Sequence, residues 1–380
     1  MSKKEVFCGD FLTGNFHFSR FLRRERKGDA EYFNERKIFL TFFLVAFAIA
    51  FVFLKMRGGT IPIGEGSNAC GDGSFYESCS LNKPYYCSNE GVLYSKASVC
   101  GCPIGMKKDN DNCVSDYMTN PKETNLKYFI NGSEKNFTFT AYYGLVNYLS
   151  SLPEQISYNG EEIPSRRDFK LRDLSEKNQR ELLMPLVVEI QNAAKTDTDQ
   201  LRIATSIVQN IEWGNSNKTG RYQRFGVSYS RYPYEVVYDS MGVCGEKSEL
   251  LAFLLKEMGY SVAIFYNADE NHESVGIKCP LEKSWHETGY CFVETSGPAI
   301  ISDSSIEYAG GVRINSKPET MILFEGKALP DKMQEYKDAE FIMKMRSDLR
   351  NGERIINPFR VSRYKNILEK YRMSEGYNLG

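Results

Sequence analysis

The amino-acid sequence predicts an α+β protein, in which a helix opened by a cysteine packs on an antiparallel sheet behind one transmembrane helix and a small disulfide-rich module. Three observations predict it. An uncharged apolar run fills residues 38–54, six of the ten cysteines crowd between Cys70 and Cys113, and a periodic helical segment beginning at Cys244 precedes segments of alternating strand pattern. The 380 residues allow two or three domains. With 48 basic against 49 acidic residues, no overall charge is available to recruit nucleic acid.

Residues 1–37 are polar and basic, with Arg20, Arg23, Arg24, Arg26, Lys27, Arg36 and Lys37 ahead of the run Ile38 to Leu54. At about 1.5 Å per residue that run is near the short end of what spans a lipid bilayer, and Lys55 and Arg57 can snorkel at its far end. Basic residues are heavier before the run than after it. The positive-inside rule then keeps residues 1–37 in the cytoplasm and sends the rest outside the cell. A cleaved signal peptide fits less well: the leading segment and the apolar run are both long, and no small-x-small site precedes the GGTIPIG linker.

Outside the membrane, structural cysteines are expected in pairs. Cys70, Cys79, Cys87, Cys100, Cys102 and Cys113 form an even set in a stretch too poor in aliphatic residues to hold a core, so three disulfides are expected to staple it. Six cysteines allow fifteen pairings, and spacing does not choose among them. Paired C-x-x-C knuckles are missing and no histidine lies nearby, so no metal is expected. No nucleotide or phosphate motif is visible, and no cofactor is expected. The run CGCPIGMKKDNDNC ends as EGF-like modules do. With CGDGSFYESCS and NKPYYCSNEG, it resembles a small cysteine-rich module of archaeal surface proteins.

From Lys127 the pattern turns to strands, YFINGSEKNFTFTAYYG alternating aromatics around a turn at Asn131, Gly132 and Ser133. Asn131, Asn136 and Asn217 each head a glycosylation acceptor. Two packing helices follow, from near Glu176 to Ala194 and through DTDQLRIATSIVQNIEW. The second is capped by Asp197 or Thr198 and turns Ile203, Ile207 and Ile211 inward. A long polar loop runs from Gly214 to Tyr234. Near the C-terminus MILFEG reads as a short strand, and EYKDAEFIMKMRSDL and FRVSRYKNILEKYRM as helices with one face on the core and their charges in solvent.

The chemistry is expected in GVCGEKSELLAFLLKEMGY, Gly242 to Tyr260. Leu251, Leu254, Leu255 and Met258 recur at helical spacing, and the same stripe continued backward meets Ser248 and Cys244. Gly242 and Gly245 permit a tight entry, Glu246 suits the positive end of the helix dipole, and Gly259 supplies a left-handed stop. A thiol in a first turn lies among unpaired N–H groups, which favours the thiolate that attacks carbonyls. A small buried cysteine that merely opens a helix is the plainer alternative.

Of the three histidines, His17 falls on the cytoplasmic side and His286 in the polar loop PLEKSWHETG. His272, opening the strand HESVGIKC, is therefore the expected base. The strand GYCFVETSGPAII carries Glu294. Setting His272 opposite Glu294 puts Gly276 opposite Tyr290 and lets the carboxylate hold the imidazole tautomer, completing a triad. In that register Cys279 and Cys291 stand about four residues apart along the strands, roughly 13 Å and too far to bridge. The disulfide expected between them therefore needs the loop to fold back.

The order of cysteine helix, strand, histidine strand and acid strand is similar to that of the transglutaminase-like superfamily, whose core also resembles papain-like cysteine proteases. DQLRIATSIVQNIEW, YPYEVVYDSMGVCGEKSELLAFLLKEMGY, NHESVGIKCP and GYCFVETSGPAIISD carry the resemblance, over about Tyr128 to Gly311, and look most like archaeal membrane-anchored transglutaminase-like proteins. The resemblance implies Cys244 as nucleophile, His272 as base and Glu294 as orienting acid. Transglutaminases usually carry Asp in the third place, and Glu294 departs from that pattern. The oxyanion donor would be the Cys244 main-chain N–H, with Gln209 as a side-chain helper.

The expected divisions are a cytoplasmic segment 1–37, transmembrane helix 38–54, linker 55–66, cysteine-rich module 67–116, strand-rich segment 117–175, transglutaminase-like core 176–311 and helical extension 312–380. The expected activity is cysteine-dependent acyl transfer from a protein or peptide substrate through a thioester. With water as acceptor the protein is a protease or amidase; with an amine it is a crosslinking protein-glutamine transglutaminase. Water needs no acceptor groove, which favours hydrolysis. A non-catalytic surface binding module of the same fold is the alternative from another class, and oligomeric state has no sequence signature.

Overall fold

The computed structural model describes residues 68–374 apart from 154–155, 161, 215–230, 306, 309–311 and 355–356. In the cysteine-rich stretch the strands β1 (Ser78–Cys79), β2 (Tyr85–Cys87) and β3 (Leu93–Ser95) precede the one-turn helix α1 (Ala97–Cys100) and the pair β4 (Lys107–Asp109) and β5 (Asn112–Val114). Strands this short bury little, so covalent ties carry the order. Disulfides join Cys70 to Cys87, Cys79 to Cys100 and Cys102 to Cys113. The stretch also docks onto a helix: the Asn192 side chain accepts from the Leu93 N–H at 2.8 Å and donates to its carbonyl at 2.9 Å, as a neighbouring strand would.

β6 (Pro121–Ile130) and β7 (Ser133–Tyr142) form a hairpin paired along its whole length. At its turn Asn131 and Gly132 take φ of 52° and 76°, the left-handed pair that matches strand twist and that Asn-Gly adopts at least cost. Helices α2 (Tyr143–Ser150), α3 (Arg166–Leu174), α4 (Lys177–Ala193) and α5 (Asp197–Asn210) follow. The cap of α5 is Thr196, whose hydroxyl accepts from the Asp199 N–H at 3.1 Å; Asp197 and Thr198, expected as caps, are already inside the helix. Ile203, Ile207 and Ile211 are buried.

β8 (Glu212–Trp213) pairs in parallel with β9 (Met241–Gly242), on either side of the helix α6 (Pro233–Asp239). Helix α7 (Cys244–Glu257) then leads into β10 (Val262–Asn267), β11 (His272–Lys278), β12 (Tyr290–Val293) and β13 (Glu319–Phe324). These strands make one antiparallel sheet in the order β12-β11-β10-β13. Alternation assigns its two faces. Val262, Ile264, Val275, Ile277 and Val293 join the helices in the main core, while Ala263, Phe265, Tyr290 and Phe292 pack with Trp285 and Ile314 on the other side. Helix α7 lies on β10 and β11, with α5 and α6 against it. Every α7 residue from Gly245 to Leu255 is buried, Glu246, Lys247 and Glu249 included, so the helix is enclosed all round and not only along its leucine stripe. Helices α8 (Gln334–Arg350) and α9 (Pro358–Tyr371) pack on each other, and the buried Arg346 pins α8 to both oxygens of Asp303 at 2.7 Å.

The fold-class expectation, an α+β core behind a membrane-spanning helix, is corrected. The described residues form a mixed α/β structure of small sheets with four disulfides, and no helix among them is long and apolar enough to cross a membrane. The run 38–54 expected to do so lies outside the described residues.

The register of the histidine strand is corrected as well. The ladder pairs Gly276 with Phe292 and Ile277 with Cys291, where Gly276 was expected opposite Tyr290. The slide is of two residues, so every side chain keeps its face. It also halves the expected offset of Cys279 from Cys291, which bridge diagonally with Cα atoms 5.7 Å apart without the loop folding back. Gly276 suits this register because a Cβ there would come within 2.9 Å of the Phe265 ring and 3.1 Å of the Tyr290 Cβ.

Candidate active site

The chain enters α7 under tight local control. Glu246 accepts the Val243 N–H at 3.1 Å, the Arg231 N–H at 2.8 Å and the Arg231 guanidinium at 3.1 Å, which fixes the first turn from both sides. Cys244 is the first residue of that turn and is partly exposed. It is also the only free cysteine among the described residues.

His272 is buried and reaches both other members of the expected triad. Its Nε2 lies 2.9 Å from Glu294 Oε2, and its ring is close enough to Cys244 for the sulfur to act on its charge. An ionised carboxylate can only accept, so Nε2 carries the proton and Nδ1 is the ring atom with a lone pair to accept one. Burial opposes charge on the ring, but the Glu294 carboxylate and the Cys244 contact outweigh it and raise the imidazole pKa. Burial likewise pushes the Glu294 carboxyl up, and His272 with the Ser296 N–H more than reverses this. The second oxygen, Oε1, accepts the Thr295 N–H at 2.9 Å and the Ser296 N–H at 2.8 Å.

A layer of polar contacts holds these three groups. Ser248, one turn beyond Cys244, shares a hydrogen bond of 2.9 Å with the Thr295 hydroxyl, one of the two donating; the Glu273 carbonyl lies 3.3 Å from the Ser248 hydroxyl and the Cys244 carbonyl 3.4 Å from that of Thr295, and the hydroxyl that accepts in the pair donates to its carbonyl. One hydroxyl pair thus sits where the cysteine helix, the histidine strand and the turn after Glu294 meet. Behind His272, the Glu273 carboxylate takes Arg166 at 3.0 Å and Lys170 at 2.7 Å, and Lys170 also meets Glu249 of α7 at 3.1 Å. Helix α3 is clamped to the histidine strand by that buried network.

Gln209 does something other than expected. Its Nε2 donates to the carbonyls of Glu294 at 2.9 Å and Ala299 at 3.1 Å, so both N–H groups are committed to main chain and neither is free for an oxyanion. It holds the backbone of Glu294 instead. Sequence reasoning passed over Thr295 and Lys247, whose only signal was position: one directly follows the acid, the other sits one turn after the cysteine. His286 is exposed on the loop between β11 and β12. Among the described residues no cluster of His, Cys, Asp and Glu is placed to hold a metal ion.

A thiol, an imidazole and a carboxylate joined in series at a helix start are the parts needed for nucleophilic attack on a carbonyl carbon. No family model matches the chain, and no curated protein matches it.

Proposed function

We propose that the protein is a cysteine-dependent acyl-transfer enzyme that cleaves peptide or isopeptide bonds. The observation that carries the reading is the buried His272, hydrogen-bonded to Glu294 at 2.9 Å and in electrostatic contact with Cys244. Cys244 Sγ attacks the substrate carbonyl while His272 holds the thiol proton. The tetrahedral oxyanion forms beside the Cys244 main-chain N–H, which has no acceptor within its own helix. Collapse breaks the C–N bond, the amine leaves with the proton from His272, and a thioester remains. Water then attacks with His272 as base, releasing the acid and restoring the thiol.

The resemblance to transglutaminase-like and papain-like proteins supports the same chemistry. Four disulfides suit an oxidising setting outside the cytoplasm, and among the described residues the one cysteine kept out of them is the one beside the imidazole.

The test is alkylation of Cys244 by iodoacetamide near neutral pH, followed by intact mass. Wild type is expected to react far faster than an ordinary thiol and His272→Ala to lose that advantage; equal, slow labelling of both proteins sinks the proposal. Incubation with a peptide library, with and without a primary amine, then separates cleavage from transfer.

A further inference from the structure

One buried cation takes no part in the acyl chemistry above. Lys247 lies one helical turn beyond Cys244, its side chain wholly enclosed. Its Nζ donates to the main-chain carbonyls of Ile211 at 2.7 Å, Ser296 at 3.2 Å and Gln209 at 3.5 Å. Enclosing an ammonium is costly, and neutral carbonyls return only part of its hydration. A packing position would be filled more cheaply by Leu or Met.

The three carbonyls belong to the segments that hold the acid of the triad. Gln209 and Ile211 end α5, and the Gln209 side chain carries the Glu294 backbone. Ser296 gives its N–H to the Glu294 carboxylate and its carbonyl to Lys247. The titratable groups acting on the ammonium are Glu294, from the end of the acid strand, and Cys244, on its own helix. Both favour the charged form, while burial draws the Lys247 pKa down to about 8.

We propose that Lys247 is a positioning residue for the cysteine chemistry: it fastens the turn after Glu294 and the end of α5 to the cysteine helix, and it sets a buried positive charge beneath the sulfur that must act as the nucleophile. The inference rests on the reading of Cys244, His272 and Glu294 as a reactive site. In a water-excluded floor a unit charge acts on its neighbours far more strongly than it would at the surface.

Three variants separate the tie from the charge. Lys247→Met removes both, Lys247→Gln keeps an N–H donor without charge, and Lys247→Arg keeps the charge. The second-order rate of Cys244 alkylation by iodoacetamide is followed from about pH 5 to 9, with near-ultraviolet circular dichroism reporting the folded fraction. Met and Gln are expected to move the midpoint of the pH–rate profile alkaline by about one unit or more and to slow labelling at neutral pH roughly tenfold; Arg is expected to keep the wild-type midpoint. Should Met not fold, the Gln and Arg pair decides alone. A merely structural lysine changes the labelled amount in proportion to the folded fraction and leaves the midpoint in place, and that result overturns the role of Lys247. A wild-type thiol that labels slowly whatever stands at position 272 instead overturns the proposed function itself.

Discussion

Replacing Glu294 by Gln tests the triad at its most constrained member. The carboxylate accepts two main-chain N–H groups on Oε1 and His272 on Oε2. An amide of the same shape can keep its oxygen on the Thr295 and Ser296 N–H groups, but this turns its NH2 against the imidazole. Two donors cannot face each other. The ring must therefore present a bare Nε2 and carry its proton on Nδ1, where it can no longer accept one from the thiol. A wrong-tautomer change of this kind in a serine triad costs about 10⁴ in turnover, equivalent to roughly 5 kcal/mol. Alkylation needs only the thiolate, so its loss should follow the missing ion pair alone, about one to three pH units and hence ~10- to 1000-fold at neutral pH. Intact-mass kinetics with iodoacetamide and turnover of a cleaved library peptide give the two numbers, with circular dichroism as the folding control. A folded Glu294→Gln protein that labels at the wild-type rate with the wild-type pH midpoint would refute the reasoning.

The same pair gives folding stability a signed pH dependence. Glu294, lowered from 4.5 to about 2, contributes above pH 4.5 and loses its contribution as pH falls through about 2; His272, raised from 6.5 to about 10, contributes below pH 6.5 and loses it as pH rises through about 10. Urea-unfolding free energies should carry the full effect of this one interaction between those inner limits, and His272→Ala should flatten both limbs; a variant as pH-dependent as wild type contradicts the assignment. Exchanging Cys279 and Cys291 for Ser frees a loop closed over 12 residues and is expected to cost about 3 kcal/mol in urea unfolding, with a loss under ~1 kcal/mol counting against the bridge. Gly276→Ala drives a methyl to 2.9 Å from the Phe265 ring, so unfolding free energy should drop by about 1–3 kcal/mol; an unchanged value would mean that the β10–β11 packing differs from that described.

How much could be read without coordinates depended on whether the signal was local. Hairpin and helix positions follow from periods of about two and 3.6 residues written into neighbouring side chains, and Asn131–Gly132 announces its turn by the φ it tolerates. The crowding of six cysteines was likewise enough to expect disulfides, though not their partners. The proximity of Cys244, His272 and Glu294 was reached by joining such local patterns through a supposed strand pairing, and the supposed pairing was off by two residues.

Other features have no local signal at all. A slide of two residues preserves every inside and outside assignment, so alternation cannot distinguish the two registers; bulk decides, through the room that Gly276 leaves for Phe265 and Tyr290. No local pattern marks Glu246, Lys247 and Glu249 as buried, and only the packing of α5, α6 and the sheet around α7 encloses them. Gln209 looked like a free amide until the Glu294 and Ala299 carbonyls, some ninety residues along the chain, took both its N–H groups. Periodicity is a property of adjacent residues and is written in the chain itself; pairing, burial of charge and the choice of hydrogen-bond partner belong to segments that meet only when the chain has folded.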